Sequence, residues 1–308
     1  MIKAALKKVL LEVKGPRIAQ NVVPNRILVL RYHSVSDAPD LLDCYISSAI
    51  AHQTDVFRAQ MEYLARDCQV VTMDQVYDIV HSQSPIPKRT VCITFDDGYR
   101  DNYEIAAPIL EKLGFRGNFY VSTAGIEGES LWYLRLKYWK HRLAKSREEY
   151  LATAKKCAVL PEPARQELFQ LLEGGHTIPN RLMMNWQQTS ELVSRGHVVG
   201  SHTVYHTNVA QIPSGQATHE LFDSKSILEK RLGMEIRHFS YPNPILDPHW
   251  NEETIGICRS AGYLTAVTST GGSVRHGTNI LAMPRLRVPA TLDEFIWSLE
   301  MGFGGWIA

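Results

Sequence analysis

Short apolar runs alternate along the chain with stretches whose apolar residues recur at helical spacing, which predicts strands separated by helices in an α/β fold. Residues 26–32 (RILVLRY) read as a first strand. Residues 56–67 put Phe57, Met61 and Leu64 on one helical face, and 70–71 and 73–81 follow as a short strand and a short helix. Pro85-Ile86-Pro87 marks a loop, after which 90–95 (TVCITF), rich in β-branched residues, reads as a buried strand. A helix over 106–113 stops at Gly114, and 118–121 is the next strand. Further on, strands at 197–200, 236–241, 264–268 and 286–288 are interleaved with helices at 189–195, 217–232 and 292–301. Gly196 and Gly233 end the first two of those helices, and Pro242 ends the 236–241 run.

From about 125 to 185 the texture changes to a long, charged stretch of helical pattern with Trp132, Tyr133, Leu136 and Trp139 on one stripe. It reads as a helical insertion, either a lid beside a site or a packed peripheral subdomain. Composition adds little against this picture. With 308 residues, 44% hydrophobic and 21% charged, the chain is an ordinary globular one that buries a core without staples. A formal charge of +1 gives no global field toward nucleic acid, which is not an expected partner. Five widely spaced cysteines, Cys44, Cys68, Cys92, Cys157 and Cys258, without a C-x-x-C, argue against a disulfide framework or a cysteine zinc site. The first residues, MIKAALKKVLLEVKGPRIAQ, are interrupted by Lys7, Lys8, Glu12 and Lys14, so neither a signal peptide nor a spanning helix is expected. Residues 2–13 fit a surface helix or frayed end, with peripheral membrane contact as the alternative. The expected location is the cytoplasm.

Two polar clusters fall at predicted strand ends, the face on which parallel α/β folds build their sites. The 90–95 run leads into Asp96-Asp97-Gly98-Tyr99, where two carboxylates diverge after an apolar strand; a turn with an aspartate N-cap is the simpler alternative. The 197–200 run leads into Ser201-His202-Thr203-Val204-Tyr205-His206, whose histidines, four apart, can share a helical face and one cation. Two imidazoles fall short of the three protein ligands usual at a catalytic zinc, and either Asp97 or Asp96 can complete the set.

In combination and order, TFDDG followed by H-[ST]-x-x-H, with Gly196-His197-Val198-Val199-Gly200 before it, resembles the polysaccharide deacetylases of the NodB-homology group, carbohydrate esterase family 4. The resemblance covers roughly 26–124 and 185–290 and leaves out the insertion. It implies a distorted (β/α)7-type, NodB-like barrel as the domain 26–308, preceded by an extension over 1–25. It implies a metal-dependent de-N-acetylase that hydrolyses the amide C–N bond of N-acetylated sugars, whether polymer, oligosaccharide or a lipid- or nucleotide-linked precursor. Asp96 would be the base and Asp97, His202 and His206 the ligands of one divalent ion, zinc first, with cobalt, nickel or manganese as alternatives. A carbohydrate O-acetyl esterase and a catalytically silent sugar-binding module on the same fold are the competing functions.

The aromatic-proline turn of the family corresponds to Phe239-Ser240-Tyr241-Pro242-Asn243-Pro244, so the resemblance makes the Tyr241 backbone N–H an oxyanion donor and puts Pro242 at the substrate. Many members have Arg where Ser240 stands and Gly where Pro244 stands. Arg285 or Arg287, from a neighbouring strand end, is the expected replacement for the arginine that orients the base, and Arg285 is the first choice. The late Leu-x-His that supplies the acid in many members does not occur, leaving His33, at the end of the first strand, as the expected pocket histidine and candidate acid. Tyr99 and Trp132 are candidates to stack on a sugar ring, with core packing as the alternative for Trp132.

Overall fold

The computed structural model describes residues 24–38, 44–143, 145–173, 182–243 and 246–306. The extension expected over 1–25, with its amphipathic segment 2–13, lies outside the described residues except for positions 24 and 25, and so does Pro244.

The strands are β1 (Ile27–Tyr32), β2 (Ser34–Val35), β3 (Ala51–His52), β4 (Gln69–Val71), β5 (Thr90–Phe95), β6 (Asn118–Val121), β7 (Val198–Ser201), β8 (His238–Ser240), β9 (Thr265–Val267) and β10 (Leu286–Arg287). The helices are α1 (Thr54–Asp67), α2 (Met73–His81), α3 (Ala107–Lys112), α4 (Thr123–Glu127), α5 (Trp132–Arg142), α6 (Arg147–Val159), α7 (Glu162–Glu173), α8 (Trp186–Ser194), α9 (Ser214–Leu232), α10 (Glu252–Ser260) and α11 (Leu292–Phe303). Local chemistry sets many of their ends. Thr72 accepts the Gln75 N–H while the Gln75 side chain accepts the Thr72 N–H, and this reciprocal cap starts α2. Asn251 and Thr254 do the same for α10, a helix the apolar pattern did not predict.

All the strand pairs are parallel, in the order β10-β1-β5-β6-β7-β8-β9, with β4 beside the first half of β5; β2 and β3 form a separate pair. β1 and β5 run side by side over their whole lengths, Ile27 opposite Thr90 and Tyr32 opposite Phe95. The period of two along these strands divides the core. Leu28, Leu30, Tyr32, Val91, Ile93 and Phe95 face outward and pack with Phe57, Leu110, Leu228 and Phe295 from the surrounding helices. Ile27, Val29 and Cys92 face inward with Tyr120, Val267 and Met283 and fill the interior. The sheet curls round through residues 280–287. There Met283 bridges Val267 of β9, while Leu286 and Arg287 pair with Leu30 and Arg31 of β1.

Helices α5, α6 and α7 stand off this sheet and have a small core of their own, with Trp132, Leu136, Trp139, Ala154, Cys157 and Phe169 buried together. A second cluster, including Ile46, Tyr99, Leu131, Leu134 and Met183, joins them to the barrel. The chain returning from the insertion also bonds the exit of β5. Arg100 N–H donates to the Leu182 carbonyl at 2.9 Å, and Met184 N–H to the Gly98 carbonyl at 2.9 Å. No described helix is long and apolar enough to cross a membrane.

Candidate active site

The tops of β1, β5, β7 and β8, together with the 280–287 segment, converge on a cavity of about 260 Å³ whose wall includes His33, Asp96, Asp97, His202 and His206. Asp96 follows β5 on its inward face and is 2% exposed. Arg285 grips it bidentately, Nη1 to Oδ1 at 2.8 Å and Nη2 to Oδ2 at 2.6 Å, and the Ser240 hydroxyl donates to Oδ1 at 3.1 Å. The rest of the guanidinium is satisfied too: Nε donates to the Thr268 carbonyl at 2.8 Å, Nη1 to Thr94 Oγ1 and Nη2 to Ser240 Oγ, each at 3.1 Å. Burial by itself would raise the Asp96 pKa, but the charge of Arg285 outweighs it and holds the carboxyl below the usual carboxylate range. The arginine expected from the Met283-Pro284-Arg285-Leu286-Arg287 segment is thus found against the carboxylate, with the small Ser240 leaving the space it occupies. Arg287 instead reaches the Ala49 carbonyl.

Asp97 turns the other way. Its φ is +76°, strained for a non-glycine residue, and Gly98 follows at +89°, a conformation glycine adopts freely. A Cβ at Gly98 would also lie 3.1 Å from Val121 Cγ1. The turn sends Asp97 Oδ1 to 3.1 Å from His206 Nε2 and 3.4 Å from His202 Nε2. The histidines do not share a helix, contrary to the expectation from their spacing: residues 202–207 are irregular, with Thr203 at φ +67° and His206 at φ +57°. These reversals bring the two rings together, centroids 4.9 Å apart, where a regular turn of helix would lay them one above the other.

Three buried donors, Asp97, His202 and His206, have ligand atoms within 4.8 Å of one another. Ligands about 2.0–2.1 Å from a tetrahedral ion lie about 3.4 Å apart, so the spacing fits one cation. Asp97 Oδ1 is buried and accepts no hydrogen bond, an orphan that a cation would satisfy. His202 Nδ1 lies 2.7 Å from the Ser240 carbonyl, which fixes the tautomer that leaves Nε2 free to ligate.

The histidine loop is held from several sides. Ser122 Oγ donates to the His202 carbonyl at 2.9 Å, and the N–H groups of Thr123 and Ala124 donate to the carbonyls of Thr203 and Val204 at 3.2 and 3.0 Å. Glu220 on α9 accepts the N–H groups of Val204 and Tyr205 and the Thr207 hydroxyl, at 2.8, 3.1 and 2.7 Å. From the insertion, Trp132 Nε1 donates to the His206 carbonyl at 3.1 Å, the Tyr133 ring sits 4.5 Å from the His206 ring, and the buried Arg165 reaches Thr207 Oγ1 at 3.4 Å.

Several expectations need correction. The Tyr241 N–H is not free for an oxyanion, because it donates to the Val267 carbonyl at 3.0 Å, and its hydroxyl is spent on the Leu281 carbonyl. Pro242 is buried and does not line the cavity. Tyr99 and Trp132 do line it, but at 1% and 3% exposure they have no face left for a sugar; both belong to packed clusters. The partly open aromatics of the wall are Tyr45, Tyr133 and Tyr150. His33 does reach the site, with Nε2 3.9 Å from Asp96 Oδ2. Burial pushes its pKa down to about 4 in spite of the two carboxylates, which favours the neutral ring at pH 7. Its backbone is held by Asn102 Nδ2, which donates to the His33 carbonyl at 2.6 Å. Arg31 and Tyr133 line the cavity unannounced by any motif.

A parallel barrel carrying a carboxylate–bis-histidine group beside an arginine-clamped aspartate is the frame into which the comparisons fall. The model of the family described as "Polysaccharide deacetylase" matches residues 83–266, and the chain belongs to that family. YxkH of Bacillus subtilis (strain 168), assigned as a polysaccharide deacetylase, is 23% identical over 266 residues, which span 86% of this chain and 72% of that protein. The Streptococcus pyogenes deacetylase PplD in complex with acetate superposes with a TM-score of 0.65 at 20% identity, covering 90% of this chain and 99% of that one. IcaB from Ammonifex degensii superposes with a TM-score of 0.62 at 21% identity, over 90% and 97%. At these identities the likeness establishes the fold, which is the NodB-like one the sequence motifs imply.

Proposed function

We propose that the protein is a metal-dependent hydrolase that removes acetyl groups from N-acetylated sugars. The observation that carries this is the pairing, in one cavity, of the open triad Asp97, His202 and His206 with a second carboxylate, Asp96, that belongs to Arg285. Two adjacent aspartates thereby have separate tasks. Asp97 and the two imidazoles would hold the divalent ion, for which zinc is the natural candidate given one oxygen and two nitrogen donors. Such an ion supplies Lewis acidity, polarising the acetamide carbonyl and acidifying water.

Asp96 supplies the proton transfer. Clamped by Arg285, it is ionised throughout the ordinary pH range and is a weak base, able to take a proton only from a water already acidified. The same low pKa makes it a strong acid once protonated, so it returns that proton readily to the departing nitrogen. In this reading Asp96 handles the proton in both directions, and His33, whose lowered pKa favours the neutral ring, borders it with Nε2 3.9 Å from Asp96 Oδ2. Arg285 and Ser240 fix the carboxylate, and its rotation would cost those bonds.

The test is acetate release from a panel of N-acetylated and O-acetylated sugars, with and without added zinc. A free amine and acetate from the N-acetyl compounds, abolished by chelation and restored by zinc, is the expected result. Release only from O-acetyl compounds would make the protein an esterase. Sugar binding without any release would make it a silent binding module.

A further inference from the structure

The cavity wall carries two carboxylates, Asp96 and Asp97, and two cations, Arg31 and Lys137, besides its histidines. Both carboxylates are already answered: Asp96 by the bidentate Arg285, and Asp97 by the imidazole pair that would share its metal. Lys137 donates to the Ile46 carbonyl. Arg31 is different. It sits on β1 between Thr94 of β5 and Arg287 of β10, and strand alternation turns it inward like Ile27 and Val29, one layer above them. Its guanidinium makes no hydrogen bond or ion pair with any described residue, although it offers five donors and no acceptor. Burial, then the like charges of Arg285 and Arg287, lower its pKa to about 10, and the nearby Asp96 and Asp97 offset only part of that. A half-buried cation kept beside another cation, with neither nearby carboxylate paired to it, is complementary to negative charge brought by a ligand.

We propose that Arg31 is a specificity residue and that the substrate is an anionic N-acetylated sugar, bearing a phosphate or carboxylate that the Arg31 fork receives. At about 260 Å³ the cavity is below the roughly 300–1,000 Å³ of drug-sized sites, so the anionic group lies on the sugar that carries the acetamido group or on its linkage. The planar guanidinium matches either oxyanion bidentately. This inference rests on the deacetylase reading and adds the charge of the substrate to it.

The experiment compares acetate release from N-acetylglucosamine 1-phosphate, N-acetylmuramic acid and the neutral methyl glycoside of N-acetylglucosamine, by the zinc-loaded wild type, Arg31→Gln and Arg31→Lys. In the wild type at low salt, kcat/KM for one of the anionic sugars should exceed that of the neutral one by about tenfold or more, mostly through KM. Which of the two is favoured tells phosphate from carboxylate. High salt should shrink the ratio. Arg31→Gln should bring it close to one, and Arg31→Lys should keep part of it. If Arg31→Gln fails to fold, the wild-type ratio, its salt dependence and the lysine variant still decide. Equal kcat/KM for charged and neutral sugars in the wild type, or an undiminished ratio in Arg31→Gln, overturns the assignment while leaving deacetylation intact. Absence of acetate from all three sugars overturns the deacetylase reading itself.

Discussion

The side of the cavity where Asp96 meets Arg285 and Ser240 and the side where residues 202–207 meet Trp132, Arg165 and Glu220 hold their functional groups by different means. The first is built from strand ends. Thr94 is on β5, Ser240 ends β8 and Arg285 immediately precedes β10, so the three meet across the inside of one parallel sheet whose ladders hold each strand in place. The second is an irregular loop with two residues in the left-handed region, a conformation that costs of order 1–3 kcal/mol at each. It persists because carbonyls and N–H groups that would otherwise be orphaned find partners on α9, near α4 and on the helical insertion. The Asp96 side is thus set by barrel elements alone, and the histidine loop depends in addition on Trp132 and Arg165, which the insertion supplies. In that sense the insertion is part of the site and not only a neighbour of it.

Substitutions can break this comparison in descending order of effect. His202→Ala should abolish both bound zinc and acetate release, read by metal analysis and by turnover, since a metal held by two protein groups is held weakly. Asp96→Asn should keep its zinc and lose about 10²–10⁴-fold in kcat; near-normal turnover would remove Asp96 from the role of base. Arg285→Met leaves a buried carboxylate unpaired and should cost about 3–5 kcal/mol in denaturant unfolding at pH 7. The sign of its pH dependence follows from the lowered Asp96 pKa. That carboxylate contributes stability above its unfolded pKa of about 4, and the contribution fades as pH falls toward the folded value, so the gap between wild type and Arg285→Met should be widest at neutral pH and narrow below about pH 4.

The smaller effects separate support from chemistry. His33→Gln keeps a neutral hydrogen-bonding group beside Asp96 and should cost no more than about tenfold in kcat; a loss of about 10² or more would mean that an imidazolium donates the proton after all. Trp132→Phe removes only the N–H that meets the His206 carbonyl. About 1 kcal/mol should be lost, seen as zinc affinity weakened about fivefold while kcat at saturating zinc stays near the wild-type value. An unchanged zinc affinity would show that the insertion does not steady the metal loop.

Much of the fold is written locally. The strand Thr90–Phe95 and the helix Met73–His81 fall where the apolar pattern puts them, because burial on both faces and a 3.6-residue stripe leave marks within a few residues. The missed helix Glu252–Ser260 is only nine residues long, and its clearest signal is the Asn251 cap. The site is legible to the same extent. Asp96-Asp97 and His202/His206 belong to contiguous motifs, and Arg285 could be named because Ser240 stands where many members of the family carry arginine, and 283–288 offers an arginine near a neighbouring strand end. The three residues assigned to substrate contact, Tyr99, Trp132 and Pro242, went astray because an aromatic or proline, whether next to a motif or on a helical stripe, looks the same in sequence with its face covered or open.

By itself, then, the chain determines most of the strands and which of their ends carry the paired carboxylates and the paired imidazoles. Only the tertiary structure shows that Arg285 grips Asp96 bidentately, that the Tyr241 N–H is consumed by the Val267 carbonyl, that burial depresses the His33 pKa, and that the Arg31 guanidinium has no ion-pair partner among the described residues. The reason is that each of these depends on groups brought together from distant parts of the chain by the closing of the barrel and the docking of the insertion. Charge state and hydrogen-bond availability follow from the distances that result, and sequence spacing carries no information about them.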